Sequence, residues 1–255
     1  MKKEARAEKA DEENAADCMV TEPSVLKNLD LNRTVSDAKY SKELKTKQQQ
    51  FRDLQYKLYT VRRPMVIVFE GQDASGKGGA IKRITQKLDP RGYEVNPTAA
   101  PNDWERAHHY LYRFWSRFPK AGHVGVFDRS WYGRVLVERV EGFCSEREWR
   151  KAYEEINEME DQWVRYGAII LKFWMQVDSE EQLQRLKSRE ENPEKSWKIT
   201  AEDWRNREKS GLYEKAAEEM SGSAEHDTAG YVYYFDAPFK KGDNVVEHSY
   251  IYSGS

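Results

Sequence analysis

Two cysteines, Cys18 and Cys144, are all that a chain of 255 residues carries. A disulfide framework is therefore excluded, and a reducing compartment fits best. No apolar run approaches membrane-spanning length, which argues against a helical membrane protein. The opening segment MKKEARAEKADEENAAD places acids where a secretory leader needs an apolar stretch, so the expectation is a soluble, cytoplasmic protein. Net charge is also lacking: 42 Lys and Arg nearly cancel 44 Asp and Glu, leaving −2. No global field favours nucleic acid or a membrane surface, and any basic site must be local. Internal repeats are absent, and low-complexity sequence is confined to the N-terminal segment.

What is present suffices for one sizeable core, with 38% hydrophobic and 13% aromatic residues. Residues 1–40 are rich in Ala, Glu, Lys and Asp without helical apolar periodicity, which predicts a flexible arm. Residues 41–255 read as a single α/β domain. A surface helix is expected from Lys42 to Tyr59, ending before Pro64. The run Met65-Val66-Ile67-Val68-Phe69 is short, continuous and β-branched, as in a central parallel strand covered on both faces. Two similar runs follow, at 124–127 and 168–174, giving the order β-α-β-α-β. Between the first two, Asn102 and Glu105 have capping-box spacing and Leu111, Phe114, Trp115 and Phe118 form a stripe, predicting one helix over 102–118. Another is expected from the N-cap Ser145 to Tyr166. The highly charged stretch 180–220, broken near Asn192-Pro193, suggests a mobile helical hairpin, with a lid at about 180–210.

The chemistry concentrates after the first strand. Residues 71–78, GQDASGKG, match the phosphate-binding pattern GxxxxGK (Walker A) between a strand and a helical stretch at 80–88, the setting this motif needs. Its glycines let consecutive backbone N–H groups converge on phosphate oxygens, and the following helix adds the positive end of its dipole. Gly71, Ala74, Ser75, Gly76, Gly78 and Gly79 form this cradle, Lys77 reaches the transferring phosphoryl group, and Lys82 and Arg83 extend the cationic surface. Gly78 stands where a metal-holding hydroxyl is customary, so another oxygen must replace it. Asp73 in the loop and Asp128 at the end of the second run are the candidates, for one or two metal ions.

Asp128-Arg129-Ser130-Trp131-Tyr132-Gly133-Arg134 crowds cations and aromatics past the carboxyl end of a strand, where ligands bind in open α/β sheets. Arg129 and Arg134 could neutralise a transferring phosphoryl group, with Tyr132 beside the nucleotide. The lid supplies further cations, Arg189 and Lys198 among them, suited to excluding water from the transfer. His108 and His109 are adjacent on the expected helix and do not share a face, so a metal pair there is not expected.

The blocks EGQDASGKGGAIKRIT, AAPNDWERAHHYLYRFW, FDRSWYGRVLVERVEGF, LKFWMQVDSEEQLQRL and WKITAEDWRNREK together resemble a family-2 polyphosphate kinase, over roughly 29–220. The resemblance implies a three-layer P-loop kinase-like fold with a central parallel sheet, helices on both faces and a helical lid. It also implies transfer of the terminal phosphoryl group of inorganic polyphosphate to AMP or ADP, reversibly, with Mg2+ (or Mn2+) and in homo-oligomers, dimers or tetramers. By the same resemblance Asp73 and Asp128 would position magnesium and the acceptor phosphate, Lys77, Arg129 and Arg134 would bind phosphates, and Glu138 would support the site. Gly133, where members resembling ADP-preferring enzymes tend to carry Asn, makes the chain resemble the AMP-using group. After residue 220 the likeness fades, and in the atypical segment 221–255 only Tyr231 to Phe235 still resembles a closing strand. An ATP-dependent nucleotide or nucleoside kinase, and a nucleotide- or polyphosphate-binding protein without turnover, remain the alternatives.

Overall fold

The computed structural model describes residues 26, 31, 35–194, 196–199, 201–223 and 231–236. The strands are β1 (Met65–Gly71), β2 (Tyr93–Pro97), β3 (Val124–Asp128), β4 (Ile169–Gln176) and β5 (Tyr231–Asp236). They form one all-parallel sheet in the order β2-β3-β1-β4-β5, with β1 at its centre. Because side chains alternate along a strand, β1 feeds two cores. Val66 and Val68 enter one with Phe127, Ile156, Met159, Trp163 and Ile170. Met65, Ile67 and Phe69 enter the other with Leu58, Ile81, Val124 and Val126. A strand buried on both faces needs apolar residues at every position, which is why this run does not alternate.

The helices are α1 (Asp37–Val61), α2 (Lys77–Thr85), α3 (Asp103–Arg106), α4 (Tyr112–Trp115), α5 (Val137–Glu141), α6 (Glu146–Arg165), α7 (Ser179–Glu190), α8 (Ala201–Glu208) and α9 (Ser210–Ser223). Leu58 of α1 and Ile81 of α2 cover one face, while α6 and α9 cover the other, completing three layers. Two buried glutamines hold α1 in place. Gln48 donates to the Arg83 carbonyl at 2.8 Å, and Gln55 both donates to and accepts from the Asp89 backbone. No described helix is long and apolar enough to cross a membrane.

Several expectations are corrected. The single helix over 102–118 is two short helices: the Asn102–Glu105 capping box forms as expected, but turns at 107–111 break the continuity. Apolar spacing alone does not report such a break. An edge strand, β2, was not foreseen, because its sequence YEVNP carries one buried residue and no apolar run. The stretch to residue 220 is not all mobile hairpin, since Ala216, Ala217 and Met220 are buried in the larger core. Within the segment read as an arm, Leu26 is buried in that core, Leu31 packs against it, and α1 begins at Asp37. The other residues before 35, and those after 236, lie outside the described residues.

Candidate active site

The loop after β1 can form only with glycine at its start. Gly71 has φ +134, and a Cβ there would sit 2.3 Å from the Met175 carbonyl oxygen on neighbouring β4. Ala74 (φ 59) and Gly76 (φ 107) also take positive φ, coiling the backbone ahead of the α2 N-terminus. The Lys77 ammonium folds back along this loop, donating to the carbonyls of Gly71 at 2.7 Å and Gln72 at 2.8 Å. Burial lowers its pKa, Arg129 adds to that, and Asp73, Asp128 and Glu70 oppose it. Lys77 is thus a buried ammonium set among three acids and one arginine.

Two of those acids were the expected metal ligands. Burial pushes the Asp73 carboxyl up, but Lys77, Arg129 and the Asn206 amide outweigh burial and hold its pKa below the usual range. Its Oδ1 takes the Arg129 guanidinium at 2.5 Å and its Oδ2 the Asn206 amide at 2.8 Å. Asp128 ends β3 in register with Phe69 of β1. Two carboxylates flanking a phosphate loop fit magnesium, which takes few protein oxygens and fills its octahedron with phosphate oxygens and water. Among the described residues no group of three or more His, Cys, Asp or Glu could hold a metal ion.

The loop after β3 carries the arginines. Arg129 has φ 64 and donates its N–H to the Phe69 carbonyl at 3.0 Å. Ser130 donates through both N–H and hydroxyl to Glu70, each at 2.7 Å. Thr98 hydrogen-bonds the Arg129 carbonyl at 2.8 Å. Glu70 is buried, and burial raises its pKa against the pull of Ser130, Lys77 and Arg129. Arg134 pairs with Glu138 at 3.0 Å, and its guanidinium lies 4.3 Å from the Tyr110 ring centroid. Burial raises the Glu138 pKa, opposed by Arg134 and Arg113.

Gly71, Asp73, Arg129, Gly133, Arg134 and Glu138 line one cleft of about 710 Å³, with Glu70, Arg113 and Asn206. Gly78, Gly79, Lys82, Arg83 and Arg189 line a second pocket of about 660 Å³, with Tyr40, Leu44 and Gln86. A single loop therefore borders both, opening the cleft with Gly71 and the second pocket with Gly78. Ala74 and Ser75 are buried within it. Tyr132, expected beside the nucleotide, is buried, with its hydroxyl on Glu160 and Lys172. The backbone of Lys198 lies in the 3-10 turn Ser196–Lys198, and its side chain is outside the described structure.

The sequence reading missed the groups that hold these parts together. Gln182 donates to the Asp73 carbonyl at 3.0 Å, and Arg185 to those of Ala74 and Ser75 at 3.1 and 3.3 Å. With Asn206, these side chains of α7 and α8 fasten the lid segment to the loop. Glu70 did leave a signal, an acid closing an otherwise apolar strand. So did Glu160 and Lys172, each a charge inside an apolar stripe.

A parallel three-layer sheet with a GxxxxGK loop, a cationic loop and a helical cover defines a P-loop kinase-like phosphate site. The chain belongs to the polyphosphate kinase 2 family, whose model matches residues 34–247. It is 47% identical over 200 residues to polyphosphate:AMP phosphotransferase of Pseudomonas aeruginosa, covering 77% of this chain and 40% of that protein. It is 39% identical over 198 residues to ADP-polyphosphate phosphotransferase 3 of Rhizobium meliloti, covering 78% and 70%. A crystal structure assigned to polyphosphate kinase 2 from P. aeruginosa PA01 superposes with TM-score 0.81 at 44% identity, over 84% of this chain and 46% of that one. The chain thus spans less than half the length of the P. aeruginosa protein it matches.

Proposed function

We propose that the protein transfers the terminal phosphoryl group of inorganic polyphosphate to a nucleotide, AMP before ADP. The observation that carries this reading is the loop shared by two pockets. The cleft bounded by Asp73, Arg129 and Arg134 has the size and polarity for a nucleotide acceptor. The pocket bordered by Lys82, Arg83 and Arg189 is cationic, as a chain of phosphates without a base requires. Lys77, the first residue of α2, reaches back to the carbonyls of Gly71 and Gln72, which line the cleft.

In this reading the loop N–H groups and Lys77 hold the donor's terminal phosphate, and Arg129 and Arg134 neutralise charge spreading over the transferring group. The nucleotide's own phosphate oxygen attacks in line, so no protein nucleophile is needed. Bound magnesium, held by Asp73 and Asp128, would supply charge neutralisation on the phosphate oxygens. Gln182, Arg185 and Asn206 keep the cover closed, which limits loss of the phosphoryl group to water. Support also comes from the relatives' names, polyphosphate:AMP phosphotransferase and ADP-polyphosphate phosphotransferase. Gly133 borders the cleft, consistent with an AMP acceptor.

The test supplies magnesium, polyphosphate and AMP or ADP in separate reactions without any other phosphoryl donor. ADP appearing from AMP, faster than ATP from ADP, supports the proposal. Transfer from ATP but not from polyphosphate overturns it in favour of an ATP-dependent kinase, and binding without transfer favours a non-catalytic protein.

A further inference from the structure

Glu160, on α6, is 1% exposed. Its Oε1 accepts from the Trp131 indole N–H at 2.9 Å and from the Tyr132 hydroxyl at 2.8 Å. Its Oε2 takes the ammonium of Lys172 on β4 at 2.8 Å, and Lys172 also donates to the Tyr132 hydroxyl oxygen at 3.1 Å. Stability alone is a weak reason for such a pair, because desolvation offsets most of its attraction and apolar replacements are often as stable.

The origin of the donors is more informative. Trp131 and Tyr132 lie between Arg129 and Arg134, and Ser130 beside them is held by Glu70. Three consecutive residues of the arginine-bearing loop are thus tied to two buried carboxylates, one from β1 and one from α6. Arg129 adopts a left-handed φ, which a non-glycine residue keeps only where its surroundings over-determine it. The aromatic packing of Trp131, 5.0 Å from Trp163 and 5.5 Å from Phe127 between ring centroids, seats the loop, while the shared oxygen sets how it is turned.

We propose that Glu160, with Lys172 as counter-charge, is a positioning residue that aims Arg129 and Arg134 at the transferring phosphoryl group. The inference rests on the phosphoryl-transfer reading above. Glu160 touches no substrate and acts through Trp131 and Tyr132. A misplacement of about 1 Å at such groups costs on the order of 100-fold in rate, so loss of the shared oxygen acts on kcat.

Three variants test this in the polyphosphate-to-AMP assay. Tyr132→Phe removes the bond to Glu160 and the one accepted from Lys172, and leaves the ion pair. It should fold with nearly the parent's Tm, lose about tenfold in kcat, and change the KM for AMP by less than about threefold. The double variant Glu160→Gln with Lys172→Met keeps the shared acceptor oxygen without the charges, and should stay within about threefold of the parent's kcat. Glu160→Met with Lys172→Met removes the oxygen and should lose tenfold or more, on the order of a misplaced catalytic group. If Tyr132→Phe retains the parent's kcat, the proposal is overturned, whether or not the methionine double variant folds. Equal kcat losses in the two double variants would overturn it too, by showing that the charges and not the shared oxygen matter. An active parent with unaffected variants sinks this inference alone, whereas an inactive parent sinks the polyphosphate reading with it.

Discussion

Asp73 and Asn206 are 133 positions apart, yet the Asn206 amide donates to Asp73 Oδ2 at 2.8 Å. This bond joins the phosphate loop to α8, and Tyr213 of α9 approaches the other side of the same amide at 3.4 Å. α8 and the loop are therefore coupled through one carboxylate, which also carries Arg129, while α7 reaches the loop through Gln182 and Arg185.

Removing the coupling should slow the reaction without unfolding the protein. A hydrogen bond to a charged group contributes about 1.5–3 kcal/mol, so Asn206→Ala should lower kcat/KM by roughly 10- to 100-fold. Steady-state kinetics with polyphosphate and AMP, beside a circular-dichroism melt, check this. An unchanged kcat/KM would show that the cover closes without Asn206.

Lys77→Ala takes away the buried cation that bridges the Gly71 and Gln72 carbonyls of the phosphate loop. Turnover should fall by at least about 100-fold, the scale of losing one preorganised electrostatic contact to a developing charge. The fold should persist, because the hydrogen bonds Lys77 makes are local, to the carbonyls of Gly71 and Gln72, six and five positions before it. A folded Lys77→Ala protein with parental turnover would refute the role given to the loop.

Two glycines of the GxxxxGK region, Gly71 at the end of β1 and Gly78 in α2, should respond oppositely to the same substitution. Gly71→Ala drives a Cβ against the Met175 backbone at a φ of +134, a strain of about 1–3 kcal/mol before the clash itself is counted. At Gly78 a Cβ meets nothing within 4 Å, and Gly78→Ala should raise stability by up to about 1 kcal/mol through helix propensity. Denaturant unfolding of both variants separates the cases, and a destabilised Gly78→Ala would contradict the open space seen there.

The buried Glu70 carboxyl makes stability depend on pH. Its folded pKa is raised, chiefly by burial, so the folded protein holds that proton more tightly than the unfolded chain. The resulting penalty is absent below the ordinary glutamate range, grows as pH rises through the raised value, and is constant above it. Glu70→Gln has no such titration. The difference in Tm, variant minus parent, should therefore climb across that window, and a flat or falling difference would show that the carboxyl is not strained by burial.

Local pattern made much of this architecture legible. The unalternating run of β1, the GxxxxGK spacing and the caps at Asn102 and Ser145 each depend on neighbours within a few positions, and each reappears in the structure. The pattern failed where nearby residues do not decide. Tyr132 stands among cations in sequence, but its hydroxyl turns inward because Glu160 and Lys172, from other elements, form a polar site there. The helix over 102–118 broke because its apolar residues serve two short segments, and spacing cannot show where the axis changes.

The amino-acid order by itself determined the strand, the loop and the first cation of the phosphate site, since backbone freedom at glycine and side-chain periodicity act over a few residues. Only the tertiary structure decided that Asn206, Gln182 and Arg185 close on that loop, and that Glu70 and Glu160 hold Ser130, Trp131 and Tyr132 between the two arginines. Such pairings join positions tens of residues apart or more, and they exist only once packing has removed the water that would otherwise satisfy each group separately.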